Sequence, residues 1–167
     1  MRIAITTAVL TLLAGAGHAA GQTPQRFDLA CEGTERRYES RRFGEADGPE
    51  RTAPWRGRLR VDTTLRHWCL DRCEMAFPMP GAGAPRLSGG MFAAPLQPPP
   101  GTLVISDSGE SNQEWDSRYT VLYRPAGREL RMDSHRMDHI RGRRTTSVVE
   151  ARCVAAPFSG FPQLRGR

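Results

Sequence analysis

Apolar and polar residues alternate with a period of two along most of this chain, which is the pattern of β-strands that bury one face. The clearest stretch covers residues 55–62, where apolar positions alternate with Arg56, Arg58 and Arg60. Shorter alternating or continuous apolar segments predict further strands. They lie at residues 27–32, 65–69, 74–77, 102–106, 119–123, 130–132 and 144–153.

Turn residues separate these segments, as Pro125-Ala126-Gly127 does between two of them. No long segment carries an apolar stripe with helical spacing. The pattern therefore predicts an all-β fold with a single antiparallel sheet system of about eight strands. Periodicity alone leaves open whether the sheet is curled as a barrel or folded as a sandwich.

Residues 1–20 have the composition of a secretory signal peptide. Arg2 precedes a short apolar run, and small residues follow at positions 19 and 20. A run of this length is too short for a permanent helix across a bilayer. We therefore expect a periplasmic or secreted protein whose residues 21–167 form a single β-rich domain. No second apolar segment follows, so no membrane span is expected.

A stretch rich in proline and glycine, residues 78–101, interrupts the series of predicted strands. Proline lacks the amide hydrogen that a strand ladder requires, and three prolines are consecutive at positions 98–100. The stretch therefore predicts a long loop, which in a compact domain is either disordered or functional.

The four cysteines are expected to form two disulfides in an exported domain. Cys69 and Cys73 can bond only if residues 70–72 form a turn, because an extended strand would hold their Cα atoms about 13 Å apart. The remaining pair, Cys31 and Cys153, then links the first predicted strand to the last. The predicted framework is thus a disulfide-stapled sheet.

A copper site is the alternative interpretation of the central cysteines. His67, Cys69, Cys73 and Met75 lie within a short stretch, and thiolate and thioether ligands select Cu(I). Extracytoplasmic copper-delivery proteins with a Cys-x3-Cys pair use a thioredoxin-like scaffold, whereas this chain has no predicted helices. The alternative requires reduced thiols, while the disulfide prediction leaves none and expects no cofactor.

All 24 lysine-or-arginine positions are arginine, and the formal net charge is +6. On the strand of residues 55–62, Arg56, Arg58 and Arg60 share one face about 7 Å apart, close to the phosphate spacing of a polyanion. The guanidinium fork binds phosphate and carboxylate, so this row is a candidate anion-binding site. The competing interpretation is a solvated face that keeps an exposed strand from pairing. No aromatic residues are interleaved for base stacking, so nucleic acid is not an expected partner.

Catalytic motifs are lacking in the sequence. It contains no Gly-x-Ser-x-Gly nucleophile turn. Glu110, Glu114 and Asp116 are carboxylates in a polar segment, where such groups are ordinarily solvated. We therefore expect a protein that is not an enzyme.

Several short motifs occur in a fixed order along the chain. Residues 27–33 read FDLACEG, Trp68-Cys69 follow the strand of residues 59–62, and Cys153 precedes the PFSGFP of residues 157–162. In this order the chain resembles a group of small exported bacterial proteins of unknown function with an FDLxCxG opening and a C-x3-PFSGFP ending. The resemblance implies an exported, β-rich, disulfide-bonded domain and implies no activity.

Two aromatic residues, Phe158 and Phe161, follow the last predicted strand. Because burial of each ring contributes about 1.5–3 kcal/mol, we expect them to fold back and plug one end of the barrel or sandwich.

The functional expectation is an exported, non-catalytic binding or structural β-domain of the bacterial envelope. Its expected partner is an anionic envelope component or another envelope protein. The alternative is a copper-handling protein that uses Cys69 and Cys73.

Overall fold

The computed structural model describes residues 26–41, 48–73, 76–80 and 97–161 of the chain. In these ranges the chain forms eight strands, one 3₁₀ turn and no α-helix, which confirms the predicted all-β class. The strands are β1 (Arg26–Arg41), β2 (Arg51–Asp62), β3 (His67–Leu70), β4 (Phe77–Pro78), β5 (Leu103–Ser111), β6 (Trp115–Arg124), β7 (Glu129–Asp138) and β8 (Arg143–Ala156). The predicted signal peptide and most of the predicted loop, residues 81–96, lie outside the described residues.

All eight strands belong to one antiparallel sheet in the order β4-β3-β2-β1-β8-β7-β6-β5. The first and last strands pair at its centre, with 14 residues of β1 opposite β8, from Asp28↔Ala156 to Arg41↔Arg143. Two meanders, β1–β4 and β5–β8, are therefore joined along this central pair. The sheet edges, β4 and β5, are the two strands that the predicted loop connects in sequence.

The sheet curls into a nearly closed barrel, which decides between the two predicted architectures. Trp68 of β3 stacks on Tyr119 of β6, with ring centroids 6.1 Å apart and an interplanar angle of 18°. Phe27 of β1 and Tyr123 of β6 lie equally close, at 6.1 Å. Aromatic side chains thus bridge two pairs of strands, β3 with β6 and β1 with β6, that share no backbone hydrogen bonds.

The core of the barrel is formed by inward side chains at alternate positions of seven strands. Its best-buried members include Leu29, Leu59, Val61, Ile105, Val121 and Leu130, each at most 1% exposed. This is the period-two burial that the sequence pattern predicts.

The central pairing of β1 and β8 depends on a small residue at position 33. A Cβ atom on Gly33 would lie 2.0 Å from the main-chain oxygen of Glu150 and 2.5 Å from the Cα of Ala151. Gly33 is opposite Ala151 in the ladder. A glycine therefore permits the close approach of the two strands that hold the meanders together.

Both predicted disulfides are present. Cys31 and Cys153 lie directly opposite each other on β1 and β8 and are 122 residues apart in sequence. Cys69 and Cys73 bond across a tight turn, in which Asp71 has a φ of 53° and its amide donates to the Arg58 carbonyl at 2.7 Å. No cysteine of the chain is free.

Candidate functional site

The arginine row of β2 lies on the outer face of the barrel, opposite the buried Leu59 and Val61. Arg56 and Arg58 are exposed, and Arg56 lies 3.4 Å from a carboxylate oxygen of Glu32. Arg60 differs, because its side chain is only 16% exposed. The expectation of a fully solvated row is therefore wrong at Arg60.

The closing segment, residues 157–161, covers Arg60 from outside. The Nη1 of Arg60 donates to the Gly160 carbonyl at 2.8 Å, and its Nε lies 3.9 Å from the buried Asp28 carboxylate. The Ser159 hydroxyl donates to the same carboxylate at 2.7 Å. Arg60 is thus engaged in holding this segment, and the anion-binding row is reduced to Arg56 and Arg58.

The two phenylalanines of the closing segment pack on the outer face and do not plug an end of the barrel. Phe161 is 7% exposed and shares a small second cluster with Cys69 and Cys73. Phe158 meets Phe161 edge to face at 5.3 Å. The predicted folding back is confirmed, whereas the predicted location is wrong. The physical reason is that β3 turns the Cys69–Cys73 disulfide outward, where it offers an apolar surface.

The arrangement around the central cysteines does not support the copper alternative. Cys69 and Cys73 are bonded to each other and buried, so neither sulfur is a thiolate. His67 is half-buried on β3, and Met75 lies outside the described residues. Across the described ranges, no group of three or more histidine, cysteine or acidic side chains could hold a metal ion.

A serine, an aspartate and a histidine meet near the turn between β5 and β6. The Ser111 hydroxyl donates to Asp116 Oδ1 at 2.5 Å, and His139 Nε2 lies 3.2 Å from Asp116 Oδ2. The carboxylate contacts both of the other groups, one through each oxygen. This order differs from a nucleophile–base–acid arrangement, in which histidine accepts the serine proton.

A different arginine cluster forms where β1 ends and β2 begins. Arg37 and Arg51 are directly opposite each other in the ladder. Arg143, at the start of β8, contacts the Glu39 carboxylate. The hydrogen bond from Arg143 lowers the pKa of Glu39, and the positive charges of Arg143, Arg51 and Arg37 lower it further. One guanidinium therefore contacts this carboxylate, and two more lie close enough for their charges to lower its pKa.

We call this end of the barrel the arginine end. It consists of the end of β1, the start of β2 and the turn between β7 and β8. Its arginines are Arg37, Arg51, Arg136, Arg141, Arg143 and Arg144, and its carboxylates are Glu39, Glu50, Glu114 and Asp138. Ile140, at the tip of the β7–β8 turn, is 74% exposed.

Sequence reasoning missed this cluster. Arg37 and Arg51 are 14 positions apart and become neighbours only through the β1–β2 register. The only local signal is the Arg36-Arg37 dipeptide, which is one of several in the chain.

A groove of about 730 Å³ lies on the outer face of β6, β7, β8 and β1. Its lining includes Pro99 and Thr102, which lie just before β5, and Leu122 of β6. Cross-strand neighbours carry alternating charge along the row Arg124, Glu129, Arg152 and Glu32. We call this charged row the rim of the groove and its apolar lining, which includes Leu122 and Pro99, the base.

No protein-family model, curated protein or solved structure matches this chain. In the part of the chain that the structure describes, no helix is long and apolar enough to cross a bilayer.

Proposed function

We propose that this chain is an exported, non-catalytic binding domain that docks on the phosphate-bearing surface of an envelope membrane through the arginine end. The carrying observation is the cross-strand pair of Arg37 and Arg51 close to the contact between Arg143 and Glu39. The positive charge of the arginine end, its exposed apolar residue and the rigidity of the barrel favour this proposal.

Arg37 and Arg51 place two positive charges next to each other on neighbouring strands. Like charges directly opposite each other on neighbouring strands destabilise a sheet. Neither residue makes an ion pair within the described part of the chain. Because Glu39 already contacts Arg143, the cluster retains an excess of positive charge. A partner that brings phosphate groups offsets this repulsion, since guanidinium binds phosphate through two parallel hydrogen bonds.

The exposed apolar side chain of Ile140 favours a membrane over a soluble polyanion as the partner. Ile140 is the most exposed large hydrophobic residue described, and Arg141 and Arg143 lie beside it in the β7–β8 turn. Surfaces that bind membranes peripherally combine basic residues for the headgroups with apolar side chains that enter the interface. Trp115, which lies under the guanidinium of Arg136 at 5.2 Å, is at the same end.

The barrel is a rigid support for this end. β1 and β8, whose ends carry Arg37 and Arg143, form the longest ladder of the sheet and are cross-linked by Cys31–Cys153. A binding surface held by strands and a disulfide loses little conformational entropy on docking.

The test is co-sedimentation with vesicles of phosphatidylcholine, with and without phosphatidylglycerol. We expect binding only to the anionic vesicles, weakened by salt. The double variant Arg37→Gln/Arg51→Gln should bind roughly thirtyfold more weakly, because each basic residue near an anionic membrane contributes about 1 kcal/mol. Ile140→Ser should also weaken binding.

The matched control is Arg56→Gln/Arg58→Gln, which removes the same charge from the side of the barrel. Equal loss in this control would show that net charge alone drives binding and would overturn the proposal. Retention on heparin without binding to anionic vesicles would assign the arginine end to a polysaccharide instead.

A further inference from the structure

We propose that the outer-face groove is a binding site for an amphipathic carboxylate, a molecule with one carboxylate on an apolar body, and that Arg152 binds the carboxylate. This site lies on other residues than the arginine end, so it does not rest on the proposed membrane docking. The ion pairs of the rim, the apolar base and the size of the groove support this inference.

The rim leaves one guanidinium without an ionic partner. Arg124 contacts Glu129, and Glu32 lies 3.4 Å from Arg56. Arg152 stands between Glu129 and Glu32 in the ladder, yet it makes no ion pair in the described part of the chain.

The second row of the groove is also paired. Arg131 donates to both oxygens of Asp133 at 2.9 Å and to Glu150 at 3.0 Å. The hydrogen bond with Asp133 raises the pKa of Arg131. Glu150 in turn accepts from Arg36 at 2.9 Å. Since each carboxylate of the groove is engaged by an arginine, the group left to bind a ligand is the Arg152 guanidinium, which selects an anion.

The base of the groove selects an apolar body. Most of its surface is apolar, and its lining includes Leu122, Pro99 and the methylene stems of the charged side chains. Gly33, Leu130 and Ala151 also line the groove and bring no polar side chain to it. A ligand with a second charge would have to place it against this apolar base.

The dimensions suit a small molecule. A volume of about 730 Å³ lies in the usual range of ligand sites. The groove crosses β6, β7, β8 and β1, which are three inter-strand steps or about 14 Å. An extended alkyl chain or two apolar residues of a peptide C-terminus fit this length.

The experiment is isothermal titration of the full mature chain, without vesicles, with decanoate, decylamine and decanol. We expect decanoate to bind roughly tenfold or more tightly than decylamine and decanol, because the three probes share the alkyl chain and differ in charge. Acetyl-Leu-Leu, which also carries one carboxylate, distinguishes a peptide C-terminus from a fatty acid as the source of the ligand.

Three variants locate the site. Arg152→Gln should weaken decanoate binding by roughly tenfold, the effect of losing one charge-assisted hydrogen-bonded contact. Leu122→Ser should also weaken decanoate binding, because it replaces an apolar side chain of the groove base with a polar one. Arg58→Gln, which removes an exposed arginine elsewhere on the outer face, should leave decanoate binding unchanged.

Two outcomes would overturn the inference. The first is binding of decanol or decylamine as tight as that of decanoate. The second is decanoate binding that Arg152→Gln leaves intact. Vesicle binding by the arginine end is measured separately, so failure here leaves the proposed function standing.

Discussion

Tyr119 contributes to closing the barrel at the scale of a single residue. Its ring stacks on Trp68 across the gap between the two halves of the sheet. Burial raises the pKa of the Tyr119 phenol to about 12, and the negative charge of Asp71 also raises it. The Tyr119 phenol therefore stays protonated in the folded chain, because its ionised form would be poorly solvated there.

Tyr119 should make the protein lose stability in alkaline solution. Its pKa is about 12 in the folded chain and 10.0 ordinarily, so the folded state keeps a proton that the unfolded state releases. The stabilisation is complete below pH 10 and is lost as the pH rises toward 12, by about 3 kcal/mol. Urea unfolding at a series of pH values measures it.

Tyr119→Phe should remove most of this alkaline decline. Tyr38→Phe, at a half-buried tyrosine of β1, is the matched control for removal of a phenol hydroxyl. An unaltered decline in Tyr119→Phe would contradict the assignment.

The closing segment is the element that departs most from a simple barrel. It leaves β8 at Ala156 and crosses the outer face of β1, β2 and β3. Three contacts hold it: Ser159 with Asp28, Gly160 with Arg60, and Phe161 with the Cys69–Cys73 disulfide. It thereby buries an aspartate and an arginine that would otherwise face solvent.

Truncation should reveal the contribution of the closing segment. A chain that ends after Pro162 should keep its melting temperature, whereas one that ends after Ala156 should melt several degrees lower. The loss follows from burial of the Phe161 ring, about 1.5–3 kcal/mol, and from Asp28 left without its serine donor. Thermal unfolding followed by circular dichroism measures both chains. Equal melting temperatures would mean that the aromatic rings contribute nothing to stability.

At the scale of the whole molecule, the two disulfides serve different purposes. Cys31–Cys153 joins the two meanders at the centre of the sheet and closes 122 residues. Cys69–Cys73 closes a short turn at an edge and supports the closing segment. The entropy lost by the unfolded chain is much larger for the long loop than for the short one.

Removing each disulfide should therefore destabilise the protein unequally. On the loop-entropy relation, Cys31→Ala/Cys153→Ala costs about 5 kcal/mol, and Cys69→Ala/Cys73→Ala costs about 2 kcal/mol. Urea unfolding of the two double variants gives both free energies, each serving as the control for the other. A larger cost for the short loop would show that packing against Phe161, rather than chain entropy, dominates.

The candidate sites were only partly predictable from the sequence. Alternation correctly placed Arg56 and Arg58 on an exposed strand face, since side-chain direction in a strand is a local property. It could not show that Arg60 is covered by residues a hundred positions later. Neither the Arg37–Arg51 pair nor the groove has a local pattern, because each forms only when separate strands adopt their register.

The amino-acid sequence by itself determined the all-β class, the approximate positions of the strands and the pairing of the cysteines. Each of these follows from periodicity, turn residues or spacing, which act over a few residues or through covalent geometry. Only the tertiary structure decided that the sheet is a nearly closed barrel, that Phe161 packs outside it, and that Arg37 lies opposite Arg51 near the contact between Arg143 and Glu39. The physical reason is that these features depend on which distant strands pair and in what register, and the period-two pattern is the same for every such pairing.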